Sequence, residues 1–127
     1  MLREIISTDQ APAAIGPYSQ AVKVGSLLFL SGQIPLETES GNIVGESAGE
    51  QCRRVLMNVQ AILESVGASL NNVVKCTVFM VDLGEFQDVN RVYGEFFQSD
   101  PPARTTVQVS ALPKGARIEI EVTAYLE

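Results

Sequence analysis

The chain has 127 residues, of which 46% are hydrophobic and 19% are charged. This length suits one domain spanning residues 1–127, and the balance is that of a globular protein rather than a disordered one. The formal net charge of −6 argues against nucleic acid as a general partner, because phosphate backbones are bound through clustered Lys and Arg. No apolar run approaches the roughly 18 residues of a membrane span, and the first residues lack a signal-peptide layout, so we expect a cytoplasmic protein.

Histidine is absent, and the chain has two cysteines, Cys52 and Cys76. The absence of histidine removes the commonest general base, the commonest metal ligand and every Ser-His-Asp arrangement. The cysteines are too far apart for a CxxC motif and fall on apolar faces of predicted elements, which predicts buried free thiols rather than a disulfide. Any catalysis must therefore use Arg, Asp, Glu, Tyr, Ser or Thr together with water.

The first third of the chain is rich in strand signals. A short edge strand is predicted over residues 3–8, and a loop containing Pro and Gly follows over residues 9–17. Two strand-like runs, 18–24 and 27–31, flank Gly25-Ser26, a dipeptide typical of a two-residue hairpin turn. The second run is apolar on both faces, as expected for a strand that is covered on both sides.

Two helices are predicted in the middle of the chain. Ser47 and Glu50 form a capping box, and apolar residues then recur at three- and four-residue steps up to Val66, with Gly67 at the C-terminal cap. A second segment resembling a capping box, residues 82–85, precedes another helical pattern. We interpret the apolar and aromatic residues of that pattern as core: Phe86, Val89, Val92, Tyr93, Phe96 and Phe97.

Three further strands are predicted around and after the second helix, over residues 73–81, 105–109 and 117–126. The first is predicted to place four apolar residues on one face: Val74, Cys76, Val78 and Met80. The last has the most regular alternation, with one face formed by Ile118, Ile120, Val122, Ala124 and Leu126, and the other by Arg117, Glu119, Glu121, Thr123 and Tyr125.

The element order β-β-β-α-β-α-β-β predicts an α+β fold, in which two helices cover one face of a sheet. The other face combines apolar residues such as Phe79 with the charged Glu119 and Glu121. An amphiphilic second face is commonly buried against other copies of the same chain, usually in a closed cyclic assembly. We therefore expect an oligomer whose polar site lies near the subunit boundaries.

Arg104 is the first candidate for that site. It follows Pro101-Pro102, which fixes an extended backbone and lowers the entropic cost of holding the arginine. A planar, permanently charged guanidinium on a stiff support suits a carboxylate ligand. The same pattern also fits an ordinary surface arginine after a loop, so the residues alone leave both interpretations open.

Five segments, in order along the chain, resemble the signature segments of the RidA (YjgF) family: Ile15–Ala21, Leu30–Pro35, Val78–Leu83, Pro102–Val107 and Ile118–Glu121. The resemblance covers residues 5–126. It implies a chorismate-mutase-like (ferredoxin-like) fold and a homotrimer, in which three sheets form a barrel with the helices outside and clefts between subunits. It also implies hydrolysis of reactive enamine and imine acids, such as 2-aminoacrylate and 2-iminopropionate, to 2-oxo acids and ammonia, without a metal or an organic cofactor.

The resemblance also assigns site residues. Arg104 matches the arginine that holds the substrate carboxylate, and Gly32 matches backbone that lies against the ligand. Thr106 stands where many deaminase-active relatives carry a cysteine, which affects the expected substrate range. The other residues placed around the same cleft are Tyr18, Ser31, Asn90 and Glu119.

Imine hydrolysis requires a held carboxylate, an oriented water and proton transfer as ammonia leaves. On this assignment Glu119 orients or deprotonates the water, Tyr18 closes over the ligand and donates a hydrogen bond, and further donors are Ser31, Asn90 and the Gly32 amide. Without the resemblance, each residue has a simpler interpretation: Glu119 as a solvated charge, Tyr18 as turn packing, Asn90 as a polar helix residue and Ser31 as a strand end.

Three classes of function are compatible with these features. The first is the imine hydrolase, and the second is a non-catalytic regulator that binds a 2-oxo acid or an amino acid in the same cleft. The third is an endoribonuclease, which the acidic balance and the lack of histidine disfavour.

Overall fold

The computed structural model of the protein describes residues 2–127. Six strands and two helices follow in the predicted order: β1 Arg3–Ile6, β2 Ala21–Val24, β3 Leu27–Gln33, α1 Ala48–Glu64, β4 Val73–Met80, α2 Phe86–Phe96, β5 Ala103–Gln108 and β6 Ile118–Tyr125. Single 3-10 turns precede β4, α2 and β6. The predicted hairpin is present, with Gly25-Ser26 joining Val24 to its strand partner Leu27.

The strands form one sheet in the order β1-β2-β3-β6-β4-β5. All neighbouring pairs are antiparallel except β4 and β5, which run parallel. Helix α1 contacts β6 and β3, and α2 contacts α1, so both helices lie on one face of the sheet. The predicted α+β fold, a mixed sheet with two helices on one face, is confirmed.

Burial alternates along β6, where the residues at every second position from Ile118 to Ala124 are at most 2% exposed. The prediction for β4 is wrong at Val74, which is 47% exposed, while Val73 is 6% exposed and occupies the buried face. The pairing with β6 shifts register between Val73 and Lys75. A bulge of this kind adds one residue and reverses the alternation before it.

The second face of the sheet is not covered by a helix in residues 2–127. Apolar side chains on this open face are partly exposed, among them Leu27 at 39%, Phe29 at 44% and Val107 at 38%. Leu28 and Leu30 of the same strand β3 are buried under the helices. This explains why the sequence of β3 is apolar on both faces.

Helix α1 begins and ends with the predicted caps. The Glu50 backbone donates to the Ser47 hydroxyl, and the Ser47 backbone donates to the Glu50 carboxylate, both at 3.1 Å. At the other end Ala68 N donates to Leu63 O at 2.9 Å and Gly67 N to Glu64 O at 3.0 Å. This pair of bonds is a Schellman motif with Gly67 at its left-handed position.

The N-terminus of α1 has a second, long-range cap. Ala48 N donates to Glu85 Oε1 and Gly49 N donates to Asp88 Oδ2, each at 2.9 Å. The prediction of a second capping box at residues 82–85 is therefore wrong in its last residue. Asp82 does accept a hydrogen bond from Gly84 N at 2.8 Å, but Glu85 binds α1 and also forms an ion pair with Arg117.

Both cysteines are free and buried, as predicted. Burial raises the pKa of the Cys52 thiol to about 12 and also raises the pKa of Cys76, so both thiols stay protonated at neutral pH.

Within residues 2–127, neither helix combines the length and the apolarity needed to cross a bilayer.

Leu56 and Met57 offer a matched test of the core. Leu56 of α1 is fully buried in the hydrophobic core, whereas the side chain of Met57 is 46% exposed. Leu56→Ala should lower the free energy of unfolding by about 2–5 kcal/mol, because it removes buried methyl groups and leaves a cavity. Met57→Ala should change it by less than about 0.5 kcal/mol. Urea titrations of both variants measure the difference, and equal losses would contradict the packing described.

Candidate functional site

Arg104 lies in the edge strand β5, partly buried, with its guanidinium over two aromatic rings of α2. Its Cζ is 4.8 Å from the centroid of Tyr93 and 5.5 Å from that of Phe86. Residues seven apart fall on one helix face, which is why one guanidinium reaches both rings. The cation–π contacts fix the plane of the fork without using its hydrogen-bond donors.

The Arg104 guanidinium has no carboxylate within ion-pair distance among residues 2–127. Three other arginines have carboxylate partners: Arg53 pairs with Glu95, Arg91 with Asp88 and Glu95, and Arg117 with Glu85. A partly buried cation without a counterion is electrostatically unsatisfied. Its N–H groups are available to bind an anion from outside the chain.

Asn90 and Thr106 lie on the same side as Arg104. Asn90 is four residues after Phe86 and three before Tyr93, and its Oδ1 is buried without a hydrogen-bond partner in the described part of the chain. Thr106 is two residues after Arg104, so both side chains point to the same side of β5. We call this group the arginine cluster: Phe86, Asn90, Tyr93, Arg104 and Thr106.

Tyr93 is the buried member of the arginine cluster on which the Arg104 guanidinium packs. It is 6% exposed, and burial raises the pKa of its hydroxyl above the ordinary value. Its ring therefore stays neutral, which a cation–π partner requires. The hydroxyl adjoins the Cys76 thiol but makes no hydrogen bond of good geometry within residues 2–127.

The sequence interpretation of the aromatic residues as core holds for Tyr93 but misses its second role under Arg104. The i, i+4, i+7 spacing of Phe86, Asn90 and Tyr93 could have suggested a shared face. The link to Arg104 comes from the parallel pairing of β4 with β5, which no local pattern reveals.

Glu119 lies on the open face of the sheet, on β6. The pairing of β3 with β6 is irregular between Leu30 and Gln33, and this irregularity places Gly32 directly beneath the Glu119 side chain. A Cβ atom at position 32 would collide with the Glu119 carboxylate. Only glycine leaves room for the carboxylate in this position.

Burial raises the pKa of Glu119 above its ordinary value, and the nearby Glu121 carboxylate raises it further. Glu121 is two residues along β6 and thus on the same face. A carboxylate whose pKa is raised holds a proton more strongly, which makes it a better base near neutral pH.

Ser31 and Tyr18 lie beside Gly32. The Ser31 hydroxyl donates to Ser19 O at 2.6 Å, which leaves its Oγ as an acceptor, and the place of Ser31 around the ligand stays a prediction. Tyr18 is 54% exposed, and its hydroxyl accepts a hydrogen bond from Ile15 N at 3.3 Å. The hydroxyl proton of Tyr18 is therefore free to be donated.

We call Tyr18, Ser31, Gly32 and Glu119 the glutamate cluster. Within one chain, this cluster and the arginine cluster lie on opposite faces of the sheet. Arg104 is on the helix side of β5, Glu119 is on the open side of β6, and β4 lies between these strands. One chain thus presents two separate groups of candidate site residues, one on each face of the sheet.

A cleft of about 250 Å³ adjoins the glutamate cluster, with Tyr18 and Gly32 among its lining residues. No three Cys, Asp or Glu side chains within residues 2–127 are grouped closely enough to hold a metal ion. The chemical groups that the two clusters offer are a guanidinium, a carboxylate, hydroxyls and an amide.

Comparison with known proteins assigns the family. The family model described as Endoribonuclease L-PSP, the YjgF/RidA family, matches residues 8–126. The chain belongs to the RidA family. A RutC family protein of Pyrococcus abyssi is 53% identical to this RidA-family chain over 127 residues, covering 100% of both chains.

The names of two further relatives refer to an activity or to a bound ligand. A Bos taurus protein named 2-iminobutanoate/2-iminopropanoate deaminase is 48% identical over 124 residues, covering 98% of this RidA-family chain and 90% of the relative. The crystal structure of E. coli TdcF with bound serine has a TM-score of 0.92 and 44% identity, covering 98% of this chain and 99% of that one. Members of the family thus carry several names, and one of the solved structures holds a small amino acid.

The raised pKa of Glu119 predicts a pH-dependent effect on stability. The folded state binds the Glu119 proton more tightly than the unfolded state, so stability is lost as pH rises from the ordinary value of 4.5 through the raised pKa. Glu119→Gln should therefore raise the thermal midpoint at pH 7 and lose this advantage below pH 4.5. The exposed Glu46→Gln is the control, and an equal effect of Glu119→Gln at both pH values would contradict the pKa direction.

Proposed function

We propose that this chain hydrolyses reactive 2-enamine and 2-imino acids, such as 2-aminoacrylate and 2-iminopropionate, to 2-oxo acids and ammonia without a metal or organic cofactor. This is the activity of a 2-iminobutanoate/2-iminopropanoate deaminase. The observation that carries the proposal is the Arg104 guanidinium, held over two rings and without a counterion within residues 2–127. The name of the Bos taurus relative supports it.

The arginine cluster supplies the hold on the substrate. The two parallel N–H groups of Arg104 match the two oxygens of the substrate carboxylate, and this bidentate contact fixes the plane of the 2-imino acid. The Asn90 amide, whose Oδ1 is buried, and the Thr106 hydroxyl complete the polar side of this contact. Fixing one end of a small substrate in this way can contribute several kcal/mol to the rate, because the reacting carbon is held in position.

The glutamate cluster supplies the water chemistry. Glu119 takes one proton from a water as the water oxygen forms a bond to the C=N carbon, and it passes this proton to the nitrogen as the π bond opens, which gives a carbinolamine. The remaining hydroxyl proton then passes through Glu119 to the nitrogen, the C–N bond breaks, and ammonia leaves as the carbonyl forms. Ser31 Oγ accepts a hydrogen bond from the nitrogen, and Tyr18 donates one to the developing oxygen.

The two clusters meet when chains associate. The open face of each sheet carries partly exposed apolar side chains that need a cover, and a second copy could bring its arginine cluster to the glutamate cluster of the first. Because the two clusters are different surfaces, the contact is head-to-tail, and three such contacts close a ring. We propose a homotrimer with its sites between subunits.

The description of the family as an endoribonuclease finds little support in the charges of this chain. The net charge is −6, and Arg53, Arg91 and Arg117 are neutralised by carboxylates. Phosphate backbones need clustered free cations. The bound serine in TdcF supports a small ligand instead, and the measurement below also separates catalysis from ligand binding alone.

Arg104 variants test the proposed activity. With an imine generated in situ by an amino-acid oxidase, wild-type protein should accelerate ammonia release over the spontaneous rate. Arg104→Ala should lower kcat/KM by about 100-fold or more, and Arg104→Lys by about 10-fold, because lysine keeps the charge but loses the fork and its stacking. Arg91→Ala, on the exposed side of α2, is the matched control and should leave the rate unchanged.

The same measurement distinguishes the imine hydrolase from the non-catalytic regulator. A wild-type protein that binds a 2-oxo acid and accelerates no imine hydrolysis would contradict the enzyme and support the regulator.

Subunit mixing tests the shared site. Arg104→Ala and Glu119→Gln should each be nearly inactive alone. Refolding them together in equal amounts should restore about a quarter of the wild-type sites, because a boundary with both native groups forms at random with that frequency in a head-to-tail ring. No recovery in mixtures that do form trimers would contradict a site shared between chains.

A further inference from the structure

The cleft beside the glutamate cluster is mostly apolar. We call it the apolar cleft, and its volume is about 250 Å³. Seven of its lining residues have apolar side chains without polar atoms: Pro12, Ala13, Ala14, Ile15, Ile34, Leu36 and Pro113. A water molecule takes up about 30 Å³, so the cleft has room for several atoms of a ligand.

Two polar side chains at the cleft, Gln20 and Lys114, already have partners within the chain. Gln20 is 4% exposed, and its Oε1 accepts from Thr8 N at 2.7 Å while its Nε2 donates to Pro12 O at 2.8 Å and Thr8 O at 3.1 Å. Lys114 Nζ donates to Gly41 O at 3.0 Å. A ligand in the cleft does not need to satisfy Gln20, so apolar surface fits there at the lowest cost.

The walls of the apolar cleft are fixed before any ligand arrives. The Gln20 amide holds the loop that carries Pro12. On the other side Leu36 O accepts hydrogen bonds from Arg54 Nε at 3.0 Å and from Asn58 Nδ2 at 3.1 Å. A preformed cleft binds an apolar group without the cost of ordering its own walls.

The cleft shares Tyr18 and Gly32 with the glutamate cluster. In the proposed reaction the C=N carbon faces Glu119, which lies on Gly32, and the carboxylate is bound by Arg104. The remaining substituent of that carbon is the substrate side chain. Because the apolar cleft is the space next to Gly32, this side chain would extend into it.

We propose that the apolar cleft is the subsite for the substrate side chain, and that the preferred substrates are 2-imino acids with branched aliphatic side chains. This inference rests on the proposed function and adds the substrate class. A methyl group, as in the imine derived from alanine, leaves most of the cleft unfilled, whereas an isobutyl group buries apolar surface in it.

A comparison of three imines tests the preference. Imines derived from leucine, alanine and glutamate are generated by suitable amino-acid oxidases, and ammonia release is measured with the wild-type protein. The leucine-derived imine should have a kcat/KM at least about 10-fold higher than the alanine-derived one, as single methylenes in apolar pockets already discriminate by that factor. Equal values, or a preference for the glutamate-derived imine through Lys114, would overturn the proposal.

Variants of Ala14 locate the subsite. Ala14→Phe narrows the cleft and should lower the leucine-to-alanine ratio of kcat/KM by about 10-fold. Ala111→Phe, at an exposed position outside the cleft, is the control and should leave the ratio unchanged. Ala13→Leu, at a more exposed lining position, repeats the test if Ala14→Phe fails to fold. An unchanged ratio in a folded lining variant would overturn the assignment.

Binding measurements separate the two proposals. Titration calorimetry with pyruvate and 4-methyl-2-oxopentanoate needs no catalysis, and the branched acid should bind at least about 5-fold more tightly, a preference that Ala14→Phe removes. If no imine is hydrolysed while this preference holds, the proposed reaction fails and the subsite stands. If imines are hydrolysed without any side-chain preference, the subsite fails and the reaction stands.

Discussion

The position of helix α2 depends on two carboxylates. Glu85 and Asp88, at the start of α2, accept hydrogen bonds from the first backbone N–H groups of α1, which have no partner within their own helix. Negative charge at that end also interacts favourably with the helix dipole. A Cβ at Gly49 would collide with Asp88, so the contact also requires a glycine. Since α2 carries the two rings under Arg104, these bonds determine where the guanidinium is held.

The sheet separates the candidate site residues into two groups. Helices bury one face, and the arginine cluster lies where this buried layer meets the edge strand β5. The glutamate cluster lies on the other face, which stays open in the single chain. Under the proposed function, this arrangement would link activity to assembly, because a chain alone would offer either a carboxylate anchor or a water-activating group to a given substrate, but not both. Association would then cover the apolar side chains and complete the site in one step.

Regular patterns in the sequence were enough to predict most of the fold. The alternation in β6, the capping box at Ser47 and the helical spacing of α1 are local, so they need no knowledge of distant contacts. The bulge at Val74 and the use of Glu85 by α1 depend on neighbours far along the chain, and local patterns assigned both wrongly. For the candidate site, the diproline pattern suggested Arg104 and the resemblance supplied the other residues, whereas the direction of the Ser31 hydrogen bond became visible only in the folded structure.

The two buried thiols have a practical consequence for following assembly. Cys52 and Cys76 are each 0% exposed, and a protonated, inaccessible thiol reacts poorly with alkylating reagents. A cysteine introduced on the surface would therefore be the accessible thiol within residues 2–127, with no need to replace the native pair. Fluorescent labels attached there could report distances between chains in a mixture, so that the exchange of subunits is observed directly while the core stays intact.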